Sequence, residues 1–340
     1  MTNTNPSFFQ ANKPVFIFAA IALTMPLWFP WIGGYSGLDT KILIWALFAV
    51  GFDILVGYTG YLSFGHAAFF GISAYVTGLM LLHYSSDIIP AMIMSVIVTT
   101  VAALVIGLLT LRRSGIYFSI LTLAFAEMFH SAALSIFQDW TGGDNGLTGL
   151  PTPTLFGMHM KDLNVFYLTA FIAIVGYYVG RRIGASPFGL MLRAIKSNQH
   201  RLEYTGINVQ RYKLSAFVIS AIYASLAGSL MVVYEPYVAS EFLGWHTSGE
   251  IVIMSVIGGL GTLFGPMIGA AFMLYFENVL SVALEEQWLL VLGLVFMAIV
   301  IFLPGGFVDG WKRIMKKIRG KDDDGQVAAG QAATQGNPAE

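Results

Sequence analysis

Few side chains in this 340-residue sequence could do chemistry, because only 11% of its residues are charged and 56% are hydrophobic. The ionisable candidates inside long apolar stretches are Asp53, His66, Glu127, His130 and Glu277. Glu127 and His130 are three apart, so on a helix they share a face and can pair. Counted from Gly115, Glu127 lies about 18 Å along a helix rising 1.5 Å per residue. An ionisable group at that depth in a bilayer is costly and faces a bundle interior or water. Such groups can line a path for a polar solute, or they can be hydrogen-bonded fixtures of helix packing. Packing is the simpler reading for Glu127, His130, Asp53 and Glu277. For His66, inside a glycine-rich break, both readings stand. Ser63 lies near His66, but no carboxylate adjoins them to orient a hydrolytic pair. The chain has no H-E-x-x-H, no G-x-S-x-G, and no G-x-x-x-x-G-K-[ST] phosphate loop, so it cannot split ATP by that route. With no cysteine there is no disulfide, thiolate metal site or cysteine nucleophile. No covalent catalysis, metal or cofactor is expected.

The elements that must position these residues are membrane helices. Soluble domains carry about 25% charged residues, and this composition is far below that. A spanning helix needs about 20 apolar residues, and ten hydrophobic segments can be read, at 15–32, 41–57, 61–83, 88–111, 115–137, 163–180, 212–234, 249–261, 264–284 and 287–303. The first lacks a small-x-small cleavage site and reads as a retained helix. Threaded alternately, the segments place sixteen of the eighteen Lys/Arg on one side, all except Lys41 and Lys161. The positive-inside rule makes that side cytoplasmic, together with both termini.

Two segments differ from plain spans. One reads GYTGYLSFGHAAFFG from Gly57 to Gly71, the other GGLGTLFGPMIG from Gly258 to Gly269. Glycine at this density loosens a helix, and Pro266 removes a donor. Broken backbone at membrane depth survives where protein or water satisfies it, and paired breaks in two halves of a chain point to a translocation path. Ser63, Phe64, Gly65, His66 and Phe69 in the first break, and Gly258, Gly259, Gly261 and Thr262 in the second, are path candidates alongside Glu127 and His130. Close packing is the alternative: Gly261, Gly265 and Gly269 form a small-xxx-small ladder, as do Ser220, Ala224 and Gly228. The outward loops 138–162 and 235–248 are acidic, and read either as docking surfaces or as ordinary solvated loops.

Between Arg181 and Lys213 the sequence turns polar and basic, with seven Lys/Arg against one acid, Glu203. Helix connections in bundles take about 2–8 residues, so this segment is longer than a turn requires. Ser186-Pro187 can open a helix and Gly206 can close it. Leu192, Ile195 and Leu202 give the stretch 190–205 an apolar side. Its aromatics are few and it adjoins the membrane spans, which argues against nucleic acid. Beyond residue 310 a basic cluster (Lys312, Arg313, Lys316, Lys317, Arg319) suits lipid headgroups, and the tail after Lys321 has the composition of a disordered segment.

Three motifs in order carry a family resemblance. They are GYTGYLSFGHAAFFGISAY from Gly57 to Tyr75, RAIKSNQHRLEYTGI from Arg193 to Ile207, and GGLGTLFGP from Gly258 to Pro266. Over about 15–310 the chain resembles the permease subunits of branched-chain amino acid ABC importers, of the LivM-like kind. The resemblance implies an all-α polytopic permease fold in a bacterial inner membrane. It also implies a second homologous permease, two cytoplasmic ATPases, a periplasmic substrate-binding protein and a small hydrophobic amino acid as substrate. It assigns the cytoplasmic segment to ATPase coupling, through Pro187, Gly189, Arg193, Ala194, Lys196, Asn198, Glu203 and Gly206. Arg181, Arg182, Arg211 and Lys213 are left to hold the flanking helices at the membrane face. Ser197, Gln199 and Arg201 depart from the usual pattern and make the segment more basic, so an acidic groove is expected on the ATPase. Similar permeases handle urea, short amides or aromatic acids. An ion-coupled secondary transporter, a channel and a structural anchor are the rivals of another class.

Overall fold

The computed structural model describes residues 12–35, 37–284, 287–303, 305–311, 313 and 315. The tail beyond 315 and most of its basic cluster lie outside the described residues. Each of the ten apolar segments folds as a helix: α1 Lys13–Trp28, α2 Leu38–Thr59, α3 His66–His83, α4 Ile88–Thr110, α5 Ile116–Leu134, α6 Asp162–Ala185, α8 Val209–Tyr234, α9 Trp245–Gly258, α10 Phe264–Leu284 and α11 Trp288–Phe302. The basic segment supplies α7, Pro187–Tyr204. Among the described residues eight helices are long and apolar enough to cross a membrane. The other two, α9 with 14 residues and α11 with 15, are shorter. At 1.5 Å per residue they reach about 21–23 Å against a core of about 30 Å. The chain is an all-α polytopic membrane protein. Among the described residues its strands are one two-stranded hairpin, Thr154–Leu155 with Met158–His159, in an outward loop.

The core is built around α2 and α8. The most apolar 18-residue window of α2 is 100% buried and that of α8 78%. An α-helix apolar all round belongs inside a bundle, and α2 is enclosed by α6, α8, α9, α10 and α7. Small residues permit the close approach. A side chain at Gly51 would overlap Tyr223, one at Gly228 would overlap the Phe70 carbonyl, and Ser220 donates to the Gly51 carbonyl at 2.6 Å. Ser220, Ala224 and Gly228 are therefore packing positions. In the other ladder Gly265 and Gly269 let α10 press on the backbone of α9, but Gly261 precedes the helix and takes no part. A hydroxyl cluster joins α3, α4 and α8, with Thr77 donating to Ser229 at 2.9 Å and Ser95 2.6 Å from Ser229. Helix α4 turns outward the stripe Ile93, Ile97, Val101 and Val105, as a lipid-facing helix does.

Candidate functional site

Helix α7 is fastened by its own charges to the ends of two membrane helices, and Lys213 of α8 reaches the end of a third. The last turn of an α-helix has carbonyls without intrahelical partners and carries partial negative charge. Arg193 Nη2 donates at 2.8 Å to the carbonyl of Gly184, near the end of α6. Lys196 Nζ donates at 2.8 Å to the carbonyl of Gly57, near the end of α2. Lys213 Nζ lies 3.5 Å from the carbonyl of Leu111, at the end of α4, and donates at 3.1 Å to Tyr61 Oη. Lys213 makes these contacts from a buried position, at 4% exposure.

Local sequence explains how α7 is held. Ser186 caps it, accepting from Gly189 N at 3.3 Å, and Pro187 occupies the first turn, where a missing N–H costs nothing. Gly189 lies against the carbonyls of Ile183 and Gly184, where any side chain would collide. Leu192 and Ile195 are buried, while Ala194 is half-buried. The single helix expected over 190–205 is in fact two. Asn198 adopts extended backbone, and its side chain accepts from Arg201 N at 3.0 Å to start the second. Glu203 accepts from Gln199 Nε2 at 2.7 Å, and this bond holds its carboxyl below the ordinary range. Gly206 takes a left-handed φ of +81° after the helix. The outer side exposes Leu190 (61%) and Tyr204 (91%), two apolar residues that the motif reading missed.

The first break is narrower than the glycine-rich motif. α2 runs through Thr59 and ends on Gly60 with φ +77°, and α3 begins at His66. His66 is thus the first residue of a helix, which corrects its placement inside the break. It is wholly buried, with Nε2 2.7 Å from Ser220 Oγ and ring edges from Phe52, Phe69 and Phe217 around it. Ser220 gives its proton to Gly51, so His66 Nε2 is the donor of that pair. Ser63, Gly65 and Phe69 are also buried and Phe64 is partly exposed. The break is tied to α7 through Tyr61, whose hydroxyl donates to Gln199 Oε1 at 2.6 Å. Gln199, one of the residues that depart from the family pattern, is therefore a link in this contact.

The second break is pinned by Asp53. One carboxylate oxygen accepts from Gly261 N at 2.6 Å and the other from Leu263 N at 2.8 Å. Leu263 has φ +59°, a left-handed conformation that a branched-chain residue keeps only under outside constraint. Gly259 and Gly261 supply two more positive φ angles, and Thr262 accepts from Gly265 N at 2.9 Å to cap α10. Gly57 lies between the breaks, with Gly261 N against it. Asp53, Gly57, Tyr61, Lys196 and Gln199 form one connected set at the end of the bundle that carries α7. Sequence reading placed Asp53 only as an isolated buried acid, since the amides it binds lie about 210 residues away.

Glu127 and His130 sit elsewhere. The His130 ring lies 3.8 Å from the Glu127 carboxylate, and both side chains are partly exposed, at 26% and 41%. Glu127 also accepts from Trp245 N, the first residue of α9, at 3.1 Å. Beside them a cavity of about 310 Å³ is lined by His130, Glu241, Gly244, Trp245, His246 and Glu250. Pairing on one helix face is as expected, but this pair opens on the surface and is not a sealed packing contact. Among the described residues no group of three or more His, Cys, Asp or Glu could hold a metal ion.

Residues 35–300 match the family described as branched-chain amino acid transport system / permease component. The chain is 27% identical over 321 residues to the high-affinity branched-chain amino acid transport system permease protein LivM of Escherichia coli, covering 87% of this chain and 75% of that protein. It is 25% identical over 291 residues to the permease protein LivH of the same strain, covering 78% of this chain and 91% of LivH. A shorter match, 25% over 177 residues, is to the autoinducer 2 import system permease protein LsrC of another E. coli strain, covering 48% of this chain and 49% of LsrC. No solved structure matches the chain.

Proposed function

The chain belongs to the family of branched-chain amino acid transport system permease components, and on that premise we propose that it is a membrane subunit of an ATP-driven importer of branched-chain or similar hydrophobic amino acids. It pairs with a second, homologous permease of the LivH kind. Two cytoplasmic ATPases drive the pair, one of them docking on α7, and a periplasmic binding protein delivers substrate. The basic end of the bundle and both termini face the cytoplasm of a bacterial inner membrane. The subunit performs no covalent chemistry. ATP binding and hydrolysis on the partners bias the bundle between two states, and energy enters through their differential binding.

The observation that carries this reading is the hydrogen-bonded route from α7 to both breaks. Lys196 grips the end of α2, Gln199 grips Tyr61 in the first break, and Asp53 on α2 holds the second. A shift of α7 thus acts on α2 and on both irregular segments together. Leu190 and Tyr204 are the apolar anchors offered to the ATPase groove. The substrate path runs beside α5 and α9. Glu127 and His130 stand partly exposed on the outward half of α5, where facing lipid would be costly, and the 310 Å³ cavity beside them is walled by the outward loop 235–248 and the first turns of α9. That face is covered by the second permease and by water. The buried candidates Ser63, Gly65, His66 and Phe69 act as the hinge of the first break, and Phe64 is the one with access to solute.

The test is ATP-driven uptake by the reconstituted complex carrying Lys196→Met with Gln199→Leu. Assembly should persist while leucine uptake and substrate-stimulated ATP hydrolysis fall at least fivefold. Full uptake by the double variant would overturn the coupling route. Running the wild-type complex with valine, urea, acetamide and benzoate decides the substrate class, with the branched-chain amino acids expected to compete against leucine.

A further inference from the structure

The side of the molecule away from α5 holds a slot between α1 and α10, with α2 as its floor. It encloses about 330 Å³ and is lined by residues such as Phe18, Ala22, Met25, Leu43, Met267 and Ala271. α1 leans on α6, where Phe18 meets Tyr177 edge-on at 5.3 Å, and this leaves the gap toward α10. One end is shut by Tyr275, whose hydroxyl donates to the Ile32 carbonyl at 2.6 Å and whose ring meets Phe29. At the other end Phe264 is shared with a second cavity of about 450 Å³, walled by Tyr58, Tyr177, Arg181 and Thr262. The slot is therefore an apolar groove, open along one side, that adjoins at its α7 end a cavity bearing a guanidinium and three hydroxyls.

We propose that this groove is a binding site for one anionic phospholipid, with an acyl chain in the slot and the phosphate at Arg181. Dimensions select the occupant. From Phe18 to Phe29, the residue just past the end of α1, is eleven residues, about 16 Å at 1.5 Å per residue. That equals the depth of one leaflet, about half of a 30 Å core. A volume of 330 Å³ spread over about 16 Å leaves a mean cross-section of roughly 20 Å². A groove this slender suits a single hydrocarbon chain lying along it. Charge sets the head group. Arg181 borders the mouth, Arg182 follows it and Lys13 begins α1, and the described residues that line this cavity include no carboxylate. Basic pockets at the ends of membrane helices select anionic head groups. The lipid would wedge α1 in its outward position against α6.

The test is native mass spectrometry of the delipidated permease complex titrated with phosphatidylglycerol, phosphatidylcholine or glycerol 3-phosphate. Wild-type protein should retain one phosphatidylglycerol per chain at least tenfold more strongly than phosphatidylcholine, and should not retain glycerol 3-phosphate. Arg181→Gln should bring phosphatidylglycerol down to the phosphatidylcholine level, and Ala271→Trp should abolish both, with Ile93→Ala on the lipid face of α4 as control. Equal retention of the two lipids by wild type would overturn the head-group assignment, and retention of glycerol 3-phosphate would reduce the site to an anion pocket. Because Ala271→Trp could also disturb folding, wild-type protein is photolabelled with phosphatidylglycerol carrying a diazirine in its tail. Adducts should fall within 18–29 and 264–275. Adducts confined to other faces would overturn the slot.

Discussion

Arg193, Lys196 and Lys213 show why a basic segment is needed where several helices end. The C-terminal carbonyls of α2, α4 and α6 converge there, and each receives one cation from the loop or its flank. None of this pairing was legible in the sequence, because which carbonyl a lysine meets is fixed by packing and not by spacing. Asp53 is the corresponding anion. Two charge-assisted hydrogen bonds at about 1.5–3 kcal/mol each make its removal expensive. Asp53→Ala should destabilise the purified protein by ~3 kcal/mol or more, seen as a lower thermal unfolding midpoint in detergent. An unchanged midpoint would show that the second break holds itself. Ser63, His66 and Phe69 were named from a motif. The structure gives His66 a buried donor role toward Ser220 that the motif alone could not supply.

At the scale of elements, positions were legible and functional depth was not. Hydropathy located all ten apolar helices because burial in lipid and burial in protein demand the same residues. The division of α7 at Asn198 and the shortness of the two breaks were hidden. Both depend on single backbone angles and on partners far away in sequence. Gly189 offers a clean test of how tightly α7 must sit. A methyl group there would run into the carbonyls of Ile183 and Gly184, so Gly189→Ala should lift α7 from α6 without disturbing the membrane core. Substrate-stimulated ATP hydrolysis by the complex is expected to drop several-fold while the unfolding midpoint moves little. Wild-type coupling in that variant would show that the contact is dispensable.

For the whole molecule, the absence of cysteine becomes a tool. Ile120 on α5 and Ile97 on α4 are comparably exposed, at 57% and 53%. Ile120 lies seven residues before Glu127, two turns along the same helix face. In the assembled transporter Ile120→Cys should react with a membrane-impermeant thiol reagent and Ile97→Cys should not, because the second position faces lipid. No labelling at Ile120→Cys in any nucleotide state would place the water path elsewhere. Finally, α2 has no lipid face. Helices with one free side tolerate exchange at every third or fourth residue, so a scan of all substitutions along them rises and falls with the helical turn. Along the 22 residues of α2 that ripple should vanish, leaving an unbroken band of intolerance through the middle of the mutational map.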